Sequence, residues 1–489
     1  MMQDHIIQKV FVEITVNNKE KAFSLKEDIN SFLSMDVFPE IEKYINTLEH
    51  QLVGHTLQIP RLELDLDVKS SSLNAELKEN IARLFKEELS EVINPVIGSD
   101  QTTEIDSKAY LIDNQEKMVQ TFVYFLEKGY MPWWNSDKKE TSFMEPAAFD
   151  HLILADNFSQ SMIPLLSKPH VQDRIINQFS NAQIAQLCLT VIKNKALKIN
   201  LQVEVISLIS KLNNTERLII WRLVLDVLSK HLGSSTNNLR EYLLQQITKV
   251  ATVAAKGQSP AKVQSPTKNS SQKWKAVAKI FPFIQEDEII ESFENNTTDT
   301  PEGTKDSAEK IQKENISEHA NPHLNDGQYV QNAGLILIHP FIKTFFEHCD
   351  LIHPETQQLT DPELGAHLLH YIATGKTNAP EHDMIFEKFL CNIPMNQSIN
   401  RHIKLSRKHK TQAKNVIESV LHNWNPMRKS SSGLLQNEFF QRSGKLVVTD
   451  FDYTLTIERK AQDILLDKLS WGIGLFKLPW QEKFIFVNW

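Results

Sequence analysis

Residues 433–489 read GLLQNEFFQRSGKLVVTDFDYTLTIERKAQDILLDKLSWGIGLFKLPWQEKFIFVNW. Two runs rich in β-branched and aromatic residues, 445–449 and 453–458, flank Asp450-Phe451-Asp452, and this predicts a hairpin. A helix over 460–469 and a last strand over 484–487 complete a hairpin–helix–strand unit. Four of the chain's eight tryptophans fall from Trp424 to Trp489. Polypeptide ends are usually polar and frayed. An end that stays aromatic to Trp489 is expected to be held, either by its own domain or by a partner. Trp471, Trp480 and Trp489 are therefore candidate docking residues, since indoles anchor interfaces.

The same stretch carries a possible catalytic signature. Val447-Val448-Thr449-Asp450-Phe451-Asp452-Tyr453-Thr454 resembles the first motif of Mg²⁺-dependent haloacid-dehalogenase-type phosphatases. There, one Asp is the nucleophile and the second, two residues on, is the acid/base beside the metal. That chemistry also needs carboxylates and a Lys delivered by later strands of a parallel sheet. Only 37 residues follow Asp452, too few for several crossovers of a dozen residues each. Tyr453 also stands where a small residue would leave room for phosphate. The phosphatase is the alternative reading, and a turn with solvated carboxylates is preferred to it.

Upstream, residues 332–489 read as a helical domain. Leu364, Leu368, Leu369 and Ile372 form an apolar stripe stopped by Gly375, and 413–424 is a last long helix. His367 and His370 sit one turn apart between leucines. Without Cys/His zinc spacing around them, a buried structural histidine is preferred to a metal ligand. Arg401, Lys404, Arg407, Lys408, Lys410 and Lys414 form a basic run without interleaved aromatics. This favours a solvated helix start or a protein-docking patch over nucleic acid.

Residues 251–331 are rich in Ser, Thr, Asn, Lys and Glu, with Pro260, Pro266, Pro282, Pro301 and Pro322 scattered among them. They read as a disordered linker, with one apolar island at 274–284 taken as a transient helix in a tether. Residues 115–250 are helical by pattern throughout. Their first helix ends at Gly129, with Pro132 and the candidate docking pair Trp133 and Trp134 just beyond. At the other end, Ile6, Val10, Val12, Ile14 and Val16 share one face of an alternating segment. Helices follow to about residue 52, then a second alternating segment, 57–68, and a helix over 73–93. Residues 1–95 thus read as a β-α-β-α module and 94–114 as loop. The class is mainly α with small α+β modules.

The bulk numbers exclude more than they assign. A net charge of −8 over 489 residues gives no electrostatic reason for a nucleic-acid partner. Three widely spaced cysteines do not make a disulfide framework, so folding in a reducing interior is expected. Polar residues among the first thirteen break any signal-peptide apolar core, and no run has membrane-span length. The cytoplasm is the expected site of assembly.

Three separated blocks carry a resemblance. The first is His5-Ile6-Ile7-Gln8-Lys9-Val10-Phe11-Val12-Glu13-Ile14 with Leu62-Glu63-Leu64-Asp65-Leu66. The second is Phe125-Leu126-Glu127-Lys128-Gly129 with Pro132-Trp133-Trp134. The third includes Gly334 to Phe341, His367 to Gly375, Pro380-Glu381-His382, Lys388-Phe389-Leu390-Cys391, Phe439 to Leu446, Ile457 to Lys460, Trp471-Gly472-Ile473 and Lys477 to Trp480. In this order and spacing the chain resembles the tape measure proteins of contractile injection systems, the phage-tail-like machines of bacteria. The resemblance implies a structural role and brings no catalytic residue, metal or cofactor. It implies setting of tail-tube length and contact with tail tube, baseplate or cap proteins, with self-association as a further partnership.

Overall fold

A computed structural model describes residues 5–16, 18–48, 54–66, 73–97, 110–135, 143–193, 195–232, 239–248, 268–289 and 327–489. By internal packing the chain divides into two units, Met1–Thr121 with Trp133–Thr141, and Phe122–Pro132 with Ser142–Trp489. The described residues are mainly helical, with small sheets. None of their helices is long and apolar enough to cross a membrane.

In the first unit, helix Lys19–Phe32 passes through a π turn, Leu33–Val37, into helix Phe38–Leu48. Pro39 is the second residue of the latter helix. Lacking an amide hydrogen, it cannot extend an α ladder backwards. The π turn shifts the hydrogen-bond register just before it, Phe38 N–H donating to Leu33 O, and the chain stays helical. Phe32, Val37 and Ile41 form a small core with Leu73, Leu77, Ile81 and Phe85 against it. The last four face it from a region read as helix and observed as helix Ala75–Ile97 and its entry.

The N-terminal strands differ from the β-α-β-α expectation. Residues 5–16 lie outside any helix or strand among the described residues. The second strand is cut to β1, His55–Gln58, because Pro60 supplies no ladder donor. The partner of β1 is β2, Tyr110–Asp113, antiparallel with His55 opposite Asp113 and Gln58 opposite Tyr110. This strand falls in the segment read as loop. Its Tyr-Leu-Ile core is strand-forming but too short to stand out among polar neighbours.

In the second unit the expected central helices are present, from the end of Asn114–Lys128 through Pro146–Ile153, Phe158–Leu165, Pro169–Gln178, Asn181–Ile192 and Val203–Ile209 to Asn214–His231. Two begin with reciprocal capping boxes, Ser180 with Gln183 and Asn213 with Glu216, which satisfy amides that a helix start leaves open. Phe122 gathers the rings of Phe143, Phe149, Phe158 and Phe179 around it at centroid distances of 5.4–6.3 Å.

The apolar island within the expected linker is a correction. Lys268–Ile280 is a helix. Trp274, Ala276, Val277, Ile280, Phe281 and Ile284 are all buried. The helix packs on Val203–Ile209 and Asn214–His231, and Asn200 N–H donates to Ile280 O at 2.8 Å. A tether would leave this apolar face in water. Burying it on neighbouring helices is the lower-energy solution. The remainder of the expected linker up to residue 326, outside 268–289, lies outside the described residues.

The C-terminal end is a mixed five-stranded sheet. Strands β3 (Gln328–Val330), β4 (Gly444–Val448), β5 (Tyr453–Ile457), β6 (Leu475–Phe476) and β7 (Ile485–Asn488) are ordered β3-β4-β5-β7-β6. The β4–β5 hairpin sets Val448 opposite Tyr453, and β7 runs parallel to β5. The expected helix between hairpin and last strand is a 3₁₀ helix, Ala461–Lys468, and β3 and β6 are added. Leu446, Leu455, Ile457, Phe476, Ile485 and Val487 bury one face against a core shared with helices Pro362–Thr374 and Arg407–Asn423. Gly334 permits the closest backbone approach there, since a Cβ on it would meet Phe439 O at 1.7 Å.

Candidate functional site

A buried ionic junction lies in the second unit. Arg174 on helix Pro169–Gln178, Glu381 on a 3₁₀ turn and Lys388 on helix Ile385–Leu390 are each fully buried. Lys388 Nζ donates to Glu381 Oε1 at 2.9 Å. The Arg174 guanidinium lies 3.3 Å from the same oxygen. Two cations for one carboxylate would be untenable in an apolar interior. Backbone carbonyls supply the rest. Arg174 donates to Leu126 O and Asn396 O, and Lys388 to Met395 O and Gln397 O at 2.8 and 2.6 Å. Burial pulls the Lys388 ammonium below its usual range, while Glu381 acts to raise it. Gln178 closes the ring, accepting from Glu381 N–H at 2.9 Å and donating to Ile399 O at 2.7 Å.

Gly129 is part of this junction. Its φ is +86°, and a Cβ would stand 2.5 Å from Glu381 Oε1 and 2.7 Å from an Arg174 nitrogen. The glycine serves both as a left-handed helix cap and as the gap through which the backbone touches the charges. Thus Phe125–Gly129, Pro380-Glu381-His382 and Lys388–Cys391 meet at one buried point, though more than 250 residues separate the first from the second. Beside it, Glu387 Oε1 accepts from Asn332 Nδ2 at 2.8 Å and lies 2.9 Å from His370 Nδ1. In the sequence Glu381 and Lys388 stand out only as letters of the family-like blocks, and Arg174 lies outside those blocks. For Lys388 the available signal was charge inside an apolar run, Glu387-Lys388 within Ile385–Leu390, whereas Arg174 follows Gln172-Asp173 and carries no such signal.

The candidate docking indoles have different surroundings. Trp480 is 2% exposed, donates from Nε1 to Leu390 O at 2.7 Å, and stacks on Phe346. Its whole surface is spent inside the chain. Trp471 donates to Leu337 O at 3.1 Å and sets its edge on Phe341. Trp489 donates to Asp463 Oδ2 at 3.1 Å. Asp463 also holds the buried Arg442 at 2.9 Å, so the last residue of the chain is tied to a buried ion pair. Trp471 and Trp489 remain partly open. Trp133 and Trp134 pack edge-to-face at 5.8 Å, and Trp133 is 37% exposed.

The Asp450/Asp452 pair sits in the tight turn of the antiparallel β4–β5 hairpin. Thr449 Oγ1 donates to Asp452 Oδ1 at 2.9 Å and accepts from the amides of Phe451 and Asp452. The Asp452 carboxylate thus closes a turn, and Phe451 at the tip is 88% exposed. His367 and His370 are both 4% exposed. His367 Nε2 lies 2.8 Å from Asn400 O, and burial lowers its pKa to about 4. Among the described residues no cluster of three or more His, Cys, Asp or Glu is placed to hold a metal.

In the basic run, Arg401 reaches back to Asn378 O at 2.8 Å, and Lys408 pairs with Asp350 at 2.7 Å. Lys414 pairs with Glu418 within the helix. Ser406 caps that helix, Arg407–Asn423, in a box with His409. The run is a helix start whose cations oppose the helix dipole and draw in carboxylates and carbonyls of the chain itself.

Searches of curated proteins and of solved structures each returned no match. A family model described as contractile injection system tape measure protein matches residues 4–489. That span takes in the 5–14 segment, the Gly129 cap, the ionic junction and the aromatic end alike, and the chain belongs to the contractile injection system tape measure protein family.

Proposed function

We propose that this chain is a structural assembly factor of a contractile injection particle, which sets or scaffolds tail-tube length and contacts tube, baseplate or cap proteins. The observation that carries the reading is the family match over nearly the entire sequence. The geometry supports a structural rather than an enzymatic part. The strongest concentration of polar chemistry, around Glu381, is enclosed and used to join segments, and the Asp452 carboxylate closes a hairpin turn. The docking contacts fall to the indoles that keep surface, Trp133, Trp134, Trp471 and Trp489, while Trp480 holds the fold. Assembly takes place in the cytoplasm, and the chain then resides in the tail particle.

The ruler component has its own test. Forty residues inserted between Glu291 and Asn325 add at most about 140 Å if extended and about 60 Å if helical. Tail lengths measured by electron microscopy are expected to lengthen within those bounds. Tails of unchanged length that still assemble would reject the ruler and leave a scaffold. Tails lost on deletion of the chain, and restored by Trp133→Ala/Trp134→Ala chains at full yield, would remove those indoles from the docking surface.

A further inference from the structure

The alternating segment 5–16 is the largest strand-forming stretch of the described residues that lies in no sheet. Phe11 is 82% exposed, Ile7 55%, Val12 48%, Val10 47% and Ile14 43%. Exposed, alternating, β-branched segments pair with other chains unless something blocks them. No Pro or Gly occurs between His5 and Val16, and the charges, Lys9 and Glu13, are of opposite sign. Lys9 Nζ lies 4.5 Å from the centre of the Phe11 ring, which puts the cation and the ring on one face.

We infer that residues 6–16 pair antiparallel with the same residues of a second copy of this chain, centred on Phe11. In this register Lys9 stands opposite Glu13 twice, once on each side of a Phe11–Phe11 pair. Ile7 stands opposite Thr15, and on the other face Val10 meets Val12, Ile6 meets Val16 and Gln8 meets Ile14. Opposite charges and aromatic pairs across strands are stabilising, and like charges directly opposite are not. The alternatives fail on this ground. Parallel in-register pairing sets Lys9 on Lys9 and Glu13 on Glu13. A shift of the antiparallel register by two residues either way places Lys9 or Glu13 opposite Phe11 and breaks both ion pairs. A two-fold symmetric contact needs a self-complementary patch, and residues 9–13, Lys-Val-Phe-Val-Glu, are one in charge and in apolar character. The self-pairing stands whether or not the chain measures length.

A two-stranded ribbon is weak alone, so the association is concentration-dependent and is best read by charge exchange and by trapping. In sedimentation equilibrium of the full chain, Lys9→Glu and Glu13→Lys should each raise the dimer dissociation constant about tenfold or more, because each sets two like-charge pairs across the ribbon. An equimolar mixture of the two variants should regain the association of the unaltered chain, since every Glu then faces a Lys. The three native cysteines are buried, so a Phe11→Cys chain presents its new thiol to mild oxidation and should form a disulfide-linked dimer. Ile7→Cys and Thr15→Cys chains should link to each other and not to themselves. A chain that stays monomeric, single variants without effect, or a mixture that fails to recover would each overturn the pairing. Protection of the 6–16 amides only after tube or baseplate protein is added would overturn it too, and would assign the segment to that partner.

Discussion

Glu381 is the residue on which most of the second unit's buried charge depends. Its carboxylate faces Arg174 and Lys388, and all three side chains are fully buried. Glu381→Ala leaves two buried cations with carbonyl partners alone. The expected loss is about 3–5 kcal/mol, as for other buried pairs broken from one side, and denaturant unfolding of the full chain would measure it. Replacing all three residues by apolar ones of similar volume should cost far less, because the desolvation of the charges disappears with them. His367 makes a second residue-scale prediction. Its folded-state pKa is lowered to about 4 from 6.5 by burial. Between those values the unfolded chain binds the proton and the folded chain does not. Stability from this group is therefore complete above pH 6.5 and is lost as pH falls towards 4, by roughly 3 kcal/mol at most. In His367→Gln, which keeps a side-chain donor near Asn400 O, the unfolding midpoint should vary less with pH across that window.

At the scale of elements, the helix Lys268–Ile280 separates pattern from composition. Its surroundings in sequence are Ser-, Lys- and Pro-rich, and a compositional reading absorbs it into the linker. The apolar positions Trp274 and Val277, with Phe281 and Ile284 just past the end of the helix, nevertheless keep the three-to-four-residue spacing of a buried face. Trp274→Ala should destabilise the helical array by about 3–5 kcal/mol. A tether would show no change in the thermal unfolding midpoint. The hairpin was legible for the opposite reason: two strand-forming runs lie four residues apart around a turn, so the contact is local. Strands β3 and β6 were not legible. Three and two residues carry no periodicity, and each is a strand only because β4 or β7 offers it a ladder edge. The first alternating segment shows the converse, a strong strand pattern that joins no sheet among the described residues.

Across the whole molecule, the last nineteen residues are structural. Removing residues 471–489 takes away β6, β7 and the Trp480 ring that seals Phe346 and Leu390. Limited proteolysis should then cut within 332–470 at sites protected in the full chain. Unchanged protection would mean that the aromatic end is held for a partner's sake and not for the fold's.

Helix content, the central array, the hairpin and the family itself were determined by the sequence alone. Each rests on local periodicity, or on motifs read in order along the chain. Burial of the Arg174–Glu381–Lys388 charges, the role of Gly129 against them, and the division of the indoles into one fully buried and four with surface were decided only by the tertiary structure. The reason is physical. A charged residue reads the same in sequence whether it faces water or three carbonyls, and its partners here lie up to 222 residues away along the chain. Only the folded backbone brings them within hydrogen-bond distance, and at that distance a motif letter becomes a joint.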